Sequence, residues 1–235
     1  MADGRHASST PFRIKPPYLI AGGVVIAVGV VLALVLSGGS GSGGGASASV
    51  GPTTPAFTFR TTSVTAVPVR AGVKPLSLQG KAKPVAAQIS KTMDAIYVAG
   101  FLDPSDWQHA SYDTVWASFD QGAASEAQKQ VDTLTAGTGA GAAFDRITPK
   151  SGTLEARVLL DDKDRPFSVL ATVVFKAVGH GKAGNDLLIS SDGQFVFEQV
   201  GGAWKVVSFH VVRDDQAQAP SPSAMPSGSP SGIPS

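Results

Sequence analysis

The sequence predicts an α+β fold: three N-terminal helices packed on an antiparallel sheet, preceded by one transmembrane helix. Three observations carry this reading. Tyr18 to Leu36 is an unbroken apolar run, apolar residues between 84 and 134 recur at helical spacing, and from Phe144 onward the period becomes two. Helices first and strands afterwards place the helices together on one sheet face.

Residues 1–17 read as a cytoplasmic tail. The run YLIAGGVVIAVGVVLALVL at 18–36 has the length a helix needs to cross a hydrocarbon core. Arg5, Arg13 and Lys15 precede it, and the next charge after it is Arg60. Basic residues at one end are kept in the cytoplasm, so the bulk of the chain is expected outside. Pro16 and Pro17 open the span and Ser37-Gly38-Gly39 closes it. A cleaved signal peptide is the rival reading. Its apolar core is normally shorter, and the nearest small-residue site, Ala46-Ser47-Ala48, lies well beyond Leu36. The uncleaved anchor is favoured. The small residues Gly23, Ala27, Gly29 and Ala33 lie one helical turn apart, but glycine and alanine are common throughout this chain.

Residues 37–83 read as a Gly/Ser tether and an extended stalk. A flexible segment of the length of 37–51 spans roughly 20 Å on average. Within the stalk, Phe57 to Val64 is strand-like and suits either a stalk or an added edge strand. Residues 84–215 form the expected extracytoplasmic domain, and 216–235, rich in proline and serine, the expected disordered tail.

In the domain, Val85, Ile89, Met93, Ile96 and Tyr97 share one face of a helix over 84–101, with Pro84 in its first turn. A second helix is expected from Ser105, carrying Trp107, Ser111, Val115 and Phe119 on one stripe. A third covers Ser125 to Leu134. Leu154, Ala156, Val158 and Leu160 then alternate with polar residues, as in a half-buried strand. A longer strand is expected over Pro166 to Val178, with a turn at Gly179 to Lys182. A further strand region spans Asp186 to Val200, with a bulge or turn at Asp192-Gly193. Gly201-Gly202 makes a two-residue hairpin into a last strand from Trp204 to Arg213. Strict alternation there sends Trp204, Val206, Ser208 and His210 one way and Lys205, Val207, Phe209 and Val211 the other. Both faces are then apolar. A cover for the outer face is therefore expected: a second copy, the Phe57–Val67 segment or a partner.

The ending FVFEQVGGAWKVV at 195–207, after helices and a meander, resembles the nuclear transport factor 2-like superfamily. The short basic tail, single span and exported domain look like the Mce-associated membrane proteins of actinobacteria. The resemblance covers about residues 84–213. It implies a curved, cone-like sheet, a pocket between helices and sheet, and dimers through the sheet. It implies no single activity, because such folds host enzymes, binders and scaffolds.

No cysteine is present, which excludes disulfides and thiolate chemistry. The net charge of +1 gives no reason to expect nucleic acid. Enzymatic relatives would use a pocket carboxylate or imidazole with a tyrosine, and the residues available are Asp94, Tyr97, His109, Tyr112, Asp113 and His210. Exposed helix carboxylates and rim tyrosines are the simpler explanation, so no catalytic residue is assigned. Met93, Tyr97, Tyr112, Trp116, Trp204 and His210 are the pocket candidates. The histidines show no ligand spacing, and Asp161 to Asp164 lacks the glycine and alternating oxygens of a calcium loop, so no metal or cofactor is expected. No Gly-x-Ser-x-Gly elbow and no phosphate-cradling loop is found. The expected function is a non-catalytic single-pass membrane protein, an accessory or scaffold of an envelope or transport complex. An apolar small molecule or lipid in the pocket is the alternative, and an isomerase or dehydratase ranks behind both. Expected partners are the membrane, an envelope protein and a second copy.

Overall fold

A computed structural model describes residues 53–217. The predicted cytoplasmic tail at 1–17, the span at 18–36, the Gly/Ser tether at 37–51 and all but the first two residues of the tail at 216–235 lie outside these residues. No helix among the described residues is long and apolar enough to cross a membrane.

The predicted fold class needs correction on two counts. First, the sheet is mixed. Its five strands lie side by side in chain order: β1 (Arg60–Pro68), β2 (Phe144–Leu160), β3 (Pro166–Gly181), β4 (Asp186–Val200) and β5 (Ala203–Ala217). β2 to β5 form an antiparallel meander, but β1 pairs parallel with β2, from Arg60 opposite Thr153 to Pro68 opposite Leu160. A parallel pair needs a crossover, and the entire helical region supplies it. The strand-like segment near Phe57 therefore leads into an edge strand, not a stalk.

Second, the helical region does not consist of three helices. α1 (Gln79–Tyr97) is the one long helix, and five short ones come after it: α2 (Pro104–Trp107), α3 (Asp113–Trp116), α4 (Gln121–Lys129), α5 (Val131–Leu134) and α6 (Ala140–Ala143). α1 starts ahead of Pro84, behind a 3-10 turn at Pro75–Leu78, and Gln79 Nε2 ties that start to the Val64 carbonyl at 3.1 Å. It ends in a wide π turn at Val98–Leu102 that sinks Ala99, Gly100, Phe101 and Leu102 into the core. The helix expected from Ser105 to Phe119 breaks at Ala110, whose φ of 52° no continuous helix can hold. Asp103 caps α2 and Asp120 caps α4, accepting N–H groups of Ser105 and Ala123 at 2.9 and 2.7 Å. The second cap starts α4 ahead of Ser125.

α1 lies across β1, β2 and β3, while α4 and α5 lie against β5. Leu154, Ala156, Val158 and Leu160 of β2, Val169, Ala171, Val173 and Phe175 of β3, and Phe195 and Phe197 of β4 meet Ile89, Met93, Ile96 and Phe101 in one core. Each large apolar side chain so enclosed contributes about 1.5–3 kcal/mol. Asp192-Gly193 is neither turn nor bulge; β4 runs straight through, with Gly193 opposite Val173. A Cβ at Gly193 would stand 2.6 Å from the Phe195 ring, so glycine here makes room for its neighbour on the same face. Gly201 and Gly202, with φ of 61° and 83°, form the expected hairpin.

The last strand departs from strict alternation in a way that matters for partners. A bulge at Val207 sets Val196 opposite Ser208 but Phe197 opposite Val206. One extra residue exchanges the faces beyond it. Phe209, Val211 and Arg213 join Val206 on the helix side, and Ser208, His210 and Val212 turn outward. The outer face then reads as mixed rows: Glu155, Thr172, Gln194 and His210 in one, Thr153, Val174, Asp192 and Val212 in the next. Such a face is at home in water. The alternation that made the outer face of this last strand apolar ends at the bulge.

Candidate functional site

The six pocket candidates do not converge. Met93 and Tyr97 face inward from α1 because their spacing puts them on its sheet-facing stripe. Both are almost completely buried. The Tyr97 ring stacks on Phe101 at 5.4 Å and meets Phe59 edge-on at 5.0 Å. Its hydroxyl reaches the buried Ser191 Oγ at 3.0 Å, and burial pushes its pKa above the ordinary tyrosine range. A phenol spent on a core hydrogen bond is no donor for a substrate.

Tyr112, also buried, donates to the Gly137 carbonyl at 2.9 Å and stands edge-on to the half-buried Trp116. These two share a surface cleft of about 400 Å³ with Ser111, Asp113, Gln128 and Thr138. Trp204 packs at the rim of the core, and His210 lies exposed on the outer face. Of the enzymatic candidates, His109 Nδ1 sits 2.9 Å from the Ser105 carbonyl of its own helical turn. Asp94 accepts the Phe59 N–H at 2.7 Å. Burial raises the Asp94 pKa, and that hydrogen bond offsets part of the rise.

Another cleft, about 520 Å³, opens between the loop after α5 and the far ends of β4 and β5. Asp132, Ala140, Phe144, Leu187, Arg213 and Asp215 are on its walls. Arg213, on the helix side because of the bulge, spans it. Its Nη1 donates to the Asp132 and Thr135 carbonyls, each at 2.6 Å, and Nε and Nη2 meet the Asp215 carboxylate at 2.9 and 2.7 Å. The guanidinium also lies over the Phe101 ring, 5.8 Å from its centroid. Asp132 in turn accepts the Thr138 N–H at 2.7 Å. With its fork taken up by the protein, Arg213 staples the 132–138 loop to β5 rather than offering a free cation to the cleft.

One constellation has a catalytic outline that sequence reasoning missed. On neighbouring strands, Thr148 Oγ1 lies 3.2 Å from His180 Nε2, and His180 Nδ1 lies 3.1 Å from Asp186 Oδ1. Opposition of His180 and Asp186 in the β3–β4 register creates this row; no sequence spacing announces it. Hydroxyl, imidazole and carboxylate in line supply a nucleophile and its base for acyl transfer. Thr148 sits within β2, and its neighbour Pro149 has no N–H to offer a developing oxyanion. The row is a hydrogen-bonded cross-strand tie at the sheet's end.

Asp161 behaves as the hairpin reading expects. Its carboxylate accepts the N–H groups of Lys163 and Arg165 at 2.9 and 2.8 Å, and these bonds lower its pKa. Asp164 pairs with Arg70 at 3.4 Å. Among the described residues no group of three metal-ligating side chains is assembled. No protein-family model and no curated protein matches this chain.

Proposed function

We propose that this chain is a single-pass membrane protein that displays a non-catalytic domain outside the cytoplasmic membrane, as an accessory or scaffold of an envelope or transport complex. One structural observation carries the reading: three of the side chains that suited a reaction pocket, Tyr97, Tyr112 and Asp94, are engaged in holding the domain together. Tyr97 is tied to Ser191 and Tyr112 to Gly137, and Asp94 takes the Phe59 N–H. What remains available is surface. The sequence adds the apolar run at 18–36 with its basic flank, which supports retention at a membrane. The likeness of the hairpin at Gly201-Gly202 and Trp204 to the nuclear transport factor 2-like superfamily is part of the same proposal.

An apolar ligand held jointly by Met93, Tyr97, Tyr112, Trp116, Trp204 and His210 has less support, since these side chains line no common cleft. Crosslinking the full-length protein in its own host, followed by pull-down from solubilised membranes, tests the scaffold reading. Recovery of one defined envelope or transport complex is the expected result. Recovery of the chain alone, or recovery from the soluble fraction, would sink it.

A further inference from the structure

We propose that residues 53–59 form a strap whose Phe57 and Phe59 rings occupy a binding site for an apolar amide, a site that opens when the strap leaves. This site is independent of the scaffold reading. Phe57 and Phe59 alternate along an extended segment, so both turn to the same side, with centroids 5.0 Å apart. Phe57 meets Phe175 edge-on at 5.3 Å, and Phe59 meets Tyr97 edge-on at 5.0 Å.

The seat beneath them is built into β2. Every second residue of that strand faces the helices: Leu160, Val158, Ala156, Leu154 and then Gly152. At Gly152 alone in this series the side chain is missing. A Cβ there would overlap the Phe57 ring and come within 2.9 Å of the Phe59 ring. The hollow therefore belongs to the domain, and the strap fills it.

The strap's own attachment is slight. Pairing of β1 with β2 begins only at Arg60 opposite Thr153. Ahead of it, the Phe59 N–H donates to Asp94 Oδ1 at 2.7 Å, and residues 53–58 make no turn, loop or side-chain hydrogen bond among the described residues. Segments held by few backbone bonds open at a lower free energy than the ladder beside them. The walls stay when the strap goes, because Tyr97 and Asp94 belong to α1, Gly152 to β2 and Phe175 to β3.

These walls define the ligand. Phe175 and Tyr97 require rings or a hydrocarbon chain, and Asp94 requires one N–H in the place of the Phe59 amide. A secondary amide with an apolar body satisfies both.

The test uses the full chain in lipid nanodiscs and a photoreactive N-alkyl benzophenone carboxamide, with adducts mapped by mass spectrometry. Mapping the adducts separates site labelling from partition into lipid. Phe57→Ala/Phe59→Ala is expected to raise labelling of the peptides bearing Tyr97 and Phe175 roughly tenfold or more, because the competent state no longer competes with the strap. Gly152→Ala keeps both rings but pushes Phe57 off its seat, and it should give an intermediate increase. It serves if the double variant does not fold. In the wild-type chain, the Phe59 amide should exchange with deuterium faster than the amides of the β1–β2 ladder. Wild-type labelling in a folded variant, adducts confined to other peptides, or equal protection of Phe59 and the ladder would each overturn the proposal.

Discussion

The Tyr97 hydroxyl and the Ser191 hydroxyl meet 3.0 Å apart between α1 and β4, both inside the core. Each is the answer to the other's burial. A buried polar group without a partner costs about 1–3 kcal/mol, while removing both partners can be almost neutral. Tyr97→Phe and Ser191→Ala are each expected to destabilise the domain by about that amount in chemical denaturation. The double variant should lose less than the sum of the two. Strict additivity would mean that the hydroxyls do not interact.

Arg213 offers a second test. Its planar fork reaches the Asp132 and Thr135 carbonyls on one side and Asp215 on the other. A lysine keeps the charge but cannot span these acceptors. Arg213→Lys should cost about 1.5–3 kcal/mol, the range for hydrogen bonds to a charged group. Amide exchange should accelerate over residues 132–138 first, and unchanged protection there would refute the staple.

Gly193 tests the reading of β4 as one straight strand. Gly193→Ala sets a methyl against the buried Phe195 ring, and overpacking of this kind costs about 1–3 kcal/mol. Gly80→Ala, in α1 with open space at the Cβ position, should be neutral or stabilising by up to about 1 kcal/mol. Thermal melts of the two variants side by side check the contrast. A Gly193→Ala protein as stable as wild type would place Phe195 elsewhere.

Asp94 gives a pH dependence with a definite sign. Burial raises its carboxyl pKa above the ordinary 3.8, so the folded state holds the proton more tightly than the unfolded chain does. The stability linked to this group is therefore fully present below pH 3.8 and is lost as pH rises through the folded value. Asp94→Asn removes the charge and keeps an oxygen for the Phe59 N–H. It should equal or exceed wild type in melting temperature at neutral pH, with the difference vanishing below pH 3.8. An asparagine variant that is weaker at neutral pH would show the hydrogen bond to the charged form outweighing burial.

What could be read in advance depends on the range of each interaction. Ile89, Met93, Ile96 and Tyr97 announce their shared face because a helix repeats within a few residues, and Leu154 to Leu160 announce theirs because a strand repeats every second one. Gly201-Gly202 is legible since only glycine readily takes positive φ at both turn positions. The break at Ala110 has no such marker. Alanine favours helix, and the positive φ there lies between two short helices whose Trp107 and Val115 are both buried. The bulge at Val207 is equally silent in the sequence, yet it moves Phe209, Val211 and Arg213 to the helix side and His210 to water. That single inserted residue undid both the pocket role expected of His210 and the inference of an apolar outer face.

By itself the sequence determined the local periods, the hairpin at 201–202, the absence of thiol chemistry and the apolar run at 18–36. The tertiary structure alone decided that Phe57 and Phe59 seat over Gly152, that β1 pairs in parallel with β2, that Tyr97 meets Ser191, and that Thr148, His180 and Asp186 align. The reason is separation along the chain. Phe59 and Gly152, or Tyr97 and Ser191, lie too far apart for any local pattern to record. Their contacts exist only because the fold closes those long loops and recovers the entropy in buried area.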